Sequence, residues 1–113
     1  MSDKIVVGLT TPITIFGSKG KRQVIARVDT GATKSSIDEK LAAELGMGTE
    51  LRRVLIKSAH GNRHRGLVSV EIEMKGQRMK AECTLADREH MKYKMLIGQN
   101  ILKKGFLIDP QGE

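Results

Sequence analysis

Tryptophan is absent, and aromatic residues make up only 3% of the chain. A core built from this sequence must therefore be aliphatic, and no row of aromatic faces is available for stacking nucleic-acid bases. Cys83 is the only cysteine, so no intrachain disulfide can form. A small buried apolar residue is the simplest role for it. No apolar run approaches the roughly 18 residues of a membrane span. Met1-Ser2-Asp3-Lys4 does not begin a long apolar segment of the secretory kind, so a cytoplasmic setting is the expectation. There is no Gly-x-x-x-x-Gly-Lys-Ser/Thr loop to cradle phosphates and no His-Glu-x-x-His to hold zinc. Neither a nucleotide nor any other cofactor is expected, and no metal.

What is present fits one domain over residues 1–113, with hydrophobic residues at 39%. Lysine and arginine total 20 against 13 aspartate and glutamate, a net charge of +7. That excess favours acidic partners without choosing among nucleic acid, anionic surfaces and acidic peptides. The basic residues are scattered through Lys19-Gly20-Lys21-Arg22, Arg52-Arg53, Arg63-His64-Arg65 and Lys103-Lys104. No long block forms, and a solvated basic surface accounts for them.

Short β-rich segments separated by turn signals run through the chain. Lys4 to Leu9, Thr11 to Phe16 and Arg22 to Val28 read as strands, the last two as a hairpin about Gly17-Ser18-Lys19-Gly20. Pro12 marks an edge or a strand start. Asp38 to Gly46 reads as a short helix, with Asp38 as N-cap and Leu41 and Leu45 on one face. Val54-Leu55-Ile56 is strand-like, and Ser58-Ala59-His60-Gly61-Asn62 is a turn. Leu67 to Met74 alternates cleanly, with Val68, Val70, Ile72 and Met74 on one side. It turns at Lys75-Gly76-Gln77 into Met79 to Leu85. Asp87 to Lys92 is a polar loop. Met95-Leu96-Ile97-Gly98, a helical turn or two from Gln99, and Phe106-Leu107-Ile108 close the chain. Many short strands with one or two short helices predict an all-β barrel or sandwich.

Val28-Asp29-Thr30-Gly31-Ala32 carries the chemistry. An acid at the end of an apolar strand is costly unless it is solvated, paired or used. Thr30 offers a hydroxyl beside it, and Gly31 lets another backbone approach. The same letters also serve an ordinary turn.

The order of elements resolves that ambiguity. A strand, Asp29-Thr30-Gly31-Ala32, a short helix, two hairpins, Leu96-Ile97-Gly98, another short helix and a closing strand together resemble one lobe of the retropepsin-type aspartic proteases. The likeness covers approximately Arg22 to Asp109. Leu85-Ala86-Asp87-Arg88 with Tyr93 and Leu96-Ile97-Gly98 is similar to a narrower prokaryotic group, labelled "ATP-dependent zinc protease", whose members accompany ATP-grasp ligases that add glutamate to protein ends. The resemblance implies a closed, retropepsin-like barrel with one lobe per chain. Two positions depart from the viral pattern. Where viral members carry an acid and an arginine that pair within the subunit, this chain has Thr33 and Gln99. Both ends changed together, so no unpaired charge is left.

Aspartic protease chemistry needs two carboxylates about one water, and this chain has a single Asp-Thr-Gly. The second must come from another copy, which predicts a C2 homodimer with Asp29 of each subunit at the axis. The resemblance then implies a catalytic set of Asp29, Thr30 and Gly31. Thr30 would tie the two loops together, Gly31 would bring its amide to the carboxylate, and Ala32 would leave room for the substrate backbone. The hairpin through His60, Gly61, Asn62 and Arg63 would form a flap over the cleft. Its basic character suits an acidic peptide, glutamylated tails included. Asp87, Arg88 and Ile97 are further expected substrate contacts; Asp87 and Arg88 would alternatively pair with each other to shape their loop. Met91 and Met95 are expected in the core.

Other readings are a retropepsin-like domain that dimerises and binds peptide without cutting, and a basic nucleic-acid binder resting on charge alone. His60, His64, His90 and Cys83 make no metal signature by spacing.

Overall fold

A computed structural model of the chain describes residues 4–47, 52–58 and 61–112. Nine strands and two short helices occur among them: β1 (Ile5–Val7), β2 (Thr10–Gly17), β3 (Gly20–Val28), β4 (Ser35–Asp38), α1 (Glu39–Glu44), β5 (Arg52–Ser58), β6 (Gly61–Met74), β7 (Gln77–Ala86), β8 (Met95–Ile97), α2 (Gln99–Leu102) and β9 (Phe106–Ile108). Six strands close a barrel in the order β2-β3-β8-β4-β7-β6, with β6 returning to β2, and β5 lies outside as the partner of β6. This is the all-β closed barrel that the strand pattern and the resemblance led us to expect.

Period-two patterning sets the closure. Thr11, Ile13 and Ile15 of β2 point inward, and so do Val68, Val70, Ile72 and Met74 of β6. Across the β2–β6 seam Ile13 faces Met74 and Ile15 faces Ile72. A slip of one residue would turn these side chains to solvent, each at about 1.5–3 kcal/mol, so the register is firmly specified. Pro12 is tolerated because β6 pairs with β2 only from Ile13 onward, leaving β3 as its sole ladder partner there. The β6–β7 hairpin turns through Lys75 and Gly76, at φ 52° and 79°, the two positive values a two-residue type I′ turn requires.

Asp38 ends β4 and caps α1, its Oδ2 accepting from the Leu41 amide at 3.2 Å. Leu41 and Leu45 are both buried against the barrel. Outside the barrel, β1 and β9 form a parallel pair in which Val6 lies opposite Leu107. Those two side chains are 50% and 52% exposed. No described helix is long and apolar enough to cross a membrane.

Candidate active site

β3 delivers Asp29. The strand runs parallel to β8, with Val28 opposite Ile97, and the Asp29 amide donates to the Ile97 carbonyl at 2.9 Å. The chain then turns sharply. The Gly31 amide donates to Asp29 Oδ1 at 2.9 Å, and the Ala32 amide reaches back to the Asp29 carbonyl at 3.3 Å. Asp29 itself is half-buried, while Thr30 and Gly31 are exposed. One carboxylate oxygen is thus held by backbone, and the group stands at the barrel surface.

The second motif fastens this loop from below. The Gln99 amide donates to the Ala32 carbonyl at 2.8 Å, the Asn100 amide to the Thr33 carbonyl at 3.1 Å, and Gln99 Nε2 to the Thr30 carbonyl at 2.8 Å. Thr33 and Gln99 do not hydrogen-bond through their side chains; Gln99 instead grips the loop backbone. Gly98 makes the approach possible. A Cβ there would overlap the Lys34 carbonyl oxygen and would lie 2.7 Å from its carbon and 2.9 Å from the Ala32 oxygen.

The two loops also meet at a polar cluster that is hardly legible in the residue pattern. Ser35 has 0% exposure. Its Oγ donates to Asn100 Oδ1 at 2.8 Å and accepts from the Gly98 amide at 3.0 Å, and its own amide also donates to Asn100 Oδ1, at 2.9 Å. Asn100 Nδ2 donates onward to the Glu82 carbonyl at 2.7 Å. β4, β7 and α2 with its N-cap Gly98 are thereby locked together. Only the pairing of a buried-strand serine with an Asn just after the Gly98 motif could have signalled this.

A cleft of about 680 Å³ opens beside the loop. Gly31, Ala32 and Thr33 form one side of it. Leu55, Ile56 and Arg65 reach it from the β5–β6 hairpin, and Asp87, Arg88 and Met91 from the β7–β8 loop. Several expectations change here. Ile97 has 0% exposure and belongs to the core; its neighbour Leu96 lines the cleft instead. Strand alternation puts one of the two inside, and Ile97 is the one. Met91, expected in the core, is 54% exposed and faces the cleft, whereas Met95 is fully buried. Asp87 and Arg88 both line the cleft but do not pair. Asp87 Oδ1 accepts from the Glu89 amide, while Arg88 donates its amide to Asp38 Oδ1 at 2.8 Å and its Nε to the Tyr93 carbonyl at 2.9 Å. Burial lowers the Arg88 guanidinium from its ordinary value; Asp38 opposes this, Arg65 adds to it, and Asp29 opposes it again.

Gly61 begins β6 at φ 109°, and Asn62 and Arg63 follow in the same strand. His60 and the side chains of Asn62, Arg63 and His64 lie outside the described residues. Cys83 has 0% exposure, and burial pushes its thiol up to about 12. The His90 side chain, by contrast, is 93% exposed. Among the described residues no three His, Cys, Asp or Glu side chains are placed to hold one metal ion.

Comparison with known proteins agrees with the geometry. The family described as retropepsin-like aspartic endopeptidase RimB matches residues 39–113, a stretch that begins after Asp29. A probable alpha-L-glutamate ligase of Shewanella pealeana is 29% identical across 97% of the chain, which spans only 30% of that protein's length. The fold is shared with a Legionella pneumophila protein of unknown function, at TM-score 0.65 and 18% identity over 94% of this chain and 93% of that one. It is shared also with EIAV protease in complex with an inhibitor, at TM-score 0.67 and 24% identity over 84% and 85%. Simian foamy virus protease gives TM-score 0.62 and 19% identity over 83% and 91%.

Proposed function

Since the chain belongs to the RimB-like family of retropepsin-like aspartic endopeptidases, we propose that it is an aspartic endopeptidase working as a C2 homodimer, with Asp29 of each subunit in one shared site. The observation that carries this reading is the Asp29 loop beside the cleft, its carboxylate held by the Gly31 amide and its backbone fastened by Ile97, Gln99 and Asn100 of the second motif. Nothing about an ordinary turn requires that support.

Two such carboxylates roughly 3 Å apart cannot both ionise readily, so the pair holds one proton. The ionised member takes a proton from the water between them as that water attacks the scissile carbonyl carbon. The protonated member donates to the carbonyl oxygen, giving a neutral tetrahedral diol. The carboxyl that took the water's proton then passes it to the leaving nitrogen as the C–N bond breaks, while the other carboxylate takes a hydroxyl proton of the diol as the carbonyl re-forms, restoring the singly protonated pair. Gly31 holds the Asp29 oxygen in place, and Thr30, exposed in the single chain, would bridge to the partner loop.

Exposed apolar side chains support the pairing of two copies. Val6 and Leu107 stand side by side, and Leu9, 54% exposed, accepts through its carbonyl the Val28 amide just before Asp29. A face of this kind leads from the β1–β9 pair to the catalytic loop. The basic β5–β6 hairpin favours an acidic peptide, glutamylated chains included, and the lone buried Cys83 suits a cytoplasmic setting.

The test is cleavage of a peptide library by purified wild-type and Asp29→Asn protein, with sedimentation run alongside. Loss of cleavage in the variant and a dimeric mass support the reading. Undiminished cleavage by Asp29→Asn sinks the dyad, and cleavage by a stable monomer sinks the shared site. One observation favours a second reading, a domain that binds peptide without cutting: the family match lies wholly beyond Asp29. That reading predicts peptide binding with no cleavage by the wild type.

A further inference from the structure

Two guanidinium groups line the cleft, close enough for one to act on the charge of the other. Arg65 comes from β6 at the base of the flap hairpin, where it lies opposite Val54, and Arg88 comes from the β7–β8 loop. Among the described residues the Arg65 side chain makes one hydrogen bond, from Nη1 to the Leu85 carbonyl at 3.4 Å. Arg88 uses only Nε, on the Tyr93 carbonyl, which leaves both of its terminal nitrogens without a partner among the described residues. Asp38 and Asp29 act on the Arg88 charge, but among the described residues no carboxylate hydrogen-bonds to either guanidinium. Lys34 is taken by Glu82 at 3.5 Å, and Asp87 is exposed and accepts from the Glu89 amide. Both oxygens of Asp38 are engaged by backbone amides, those of Leu41 and Arg88.

Like charges partly withdrawn from water and near one another are unfavourable until an anion joins them. Arginine forks match a carboxylate in particular, through paired N–H donors. The apolar side chains around them, Leu55 at 46% exposure and Met91 at 54%, are uncovered in the single chain and could pack the methylene groups of a flexible acidic residue. Both arginines line the same cleft as Gly31 and Ala32 of the Asp29 loop, and Asp29 is near enough to Arg88 to act on its charge.

We propose that Arg65 and Arg88 together bind the side-chain carboxylate of an acidic residue flanking the scissile bond. This rests on the peptidase reading for the word scissile, but the binding itself does not. The test therefore uses the full chain carrying Asp29→Asn, so that binding is read without cleavage. Three labelled peptides are compared by fluorescence anisotropy: one with a central glutamate and an amidated end, the same peptide with glutamine, and the glutamine peptide with a free C-terminal carboxylate. The glutamate peptide is expected to bind about tenfold tighter than its amidated glutamine counterpart. That preference should fall to within about twofold when Arg65→Gln or Arg88→Gln is added, and Arg88→Lys should keep part of it. Thermal melts identify any variant that fails to fold, and Arg65→Gln, which gives up only one long hydrogen bond, then decides. Equal binding of the two amidated peptides, or a preference that survives in a folded Arg65→Gln protein, overturns the proposal. A free-ended glutamine peptide binding as tightly as the glutamate one also overturns it, by assigning the subsite to a chain end. Wild-type cleavage without acidic preference defeats this subsite alone. A preference in binding with no wild-type cleavage defeats the peptidase reading alone.

Discussion

Replacing Gly98 by alanine tests how the site is held. Gly98 has φ −101° and ψ −171°, a conformation any residue adopts, so backbone strain plays no part. Space alone decides. The added methyl would overlap the Lys34 carbonyl and sit 2.9 Å from the Ala32 oxygen, where ordinary carbon–oxygen contact needs several tenths of an ångström more. Both obstacles are backbone, and both belong to the loop that carries Asp29. Relief requires the loop to retreat by about 1 Å, at about 1–3 kcal/mol for overpacking. Retreat also stretches the Gln99–Ala32 and Asn100–Thr33 hydrogen bonds, worth about 1 kcal/mol each. A total near 3–5 kcal/mol should lower the melting temperature by roughly 12–20 °C in a chain of this size. Cleavage should fall by about 10²-fold, because the carboxylate moves with its loop. The assays are thermal denaturation by circular dichroism and peptide cleavage at saturating substrate. A variant that melts within about 2 °C of the wild type and keeps its activity would show that the two loops do not support each other as described.

Ser35→Ala removes a buried hydroxyl that serves both Asn100 Oδ1 and the Gly98 amide, and should cost about 2–4 kcal/mol, read as a lower urea midpoint at unchanged slope. Thr11→Val should raise stability by about 1 kcal/mol in the same assay, because the Thr11 hydroxyl is buried and, among the described residues, without a hydrogen-bond partner. The Cys83 thiol, raised by burial from 9.0 to about 12, should resist thiol reagents at pH 8 in the folded protein and react on unfolding. Its sign in pH titration follows. The unfolded thiol loses its proton first, so the folded state binds more protons between pH 9.0 and about 12, and stability falls as pH rises through that window. Cys83→Ala should flatten that part of the profile, at the cost of a small cavity.

The legible parts of this chain were those where local chemistry and global position agree. Alternation in β6 placed Val68, Val70, Ile72 and Met74 inside, and glycine at position 76 gave the turn that follows. The two motifs around Asp29 and Gly98 were visible because a carboxylate after an apolar strand and a glycine after another are both unusual unless something approaches them. β4 was not visible. Its Ser35-Ser36-Ile37-Asp38 lacks the apolar run of a barrel strand, since two of its side chains serve hydrogen bonds and a helix cap. Ile97 and Leu96 show a different difficulty. A three-residue strand carries too little alternation to say which face is inward, and only the barrel curvature assigns it. Met91 was misplaced because methionine serves core and cleft equally well. The parallel pairing of β1 with β9 joins opposite ends of the sequence, and nothing local encodes it.

Subunit mixing measures the central claim, that one site needs Asp29 from two chains. Wild-type and Asp29→Asn protein are combined in equal amounts, allowed to exchange fully, and assayed for cleavage at fixed total protein. Random pairing leaves both aspartates in about one quarter of the dimers, so the shared site predicts about one quarter of the wild-type activity. Activity of about one half, as independent subunits would give, contradicts it.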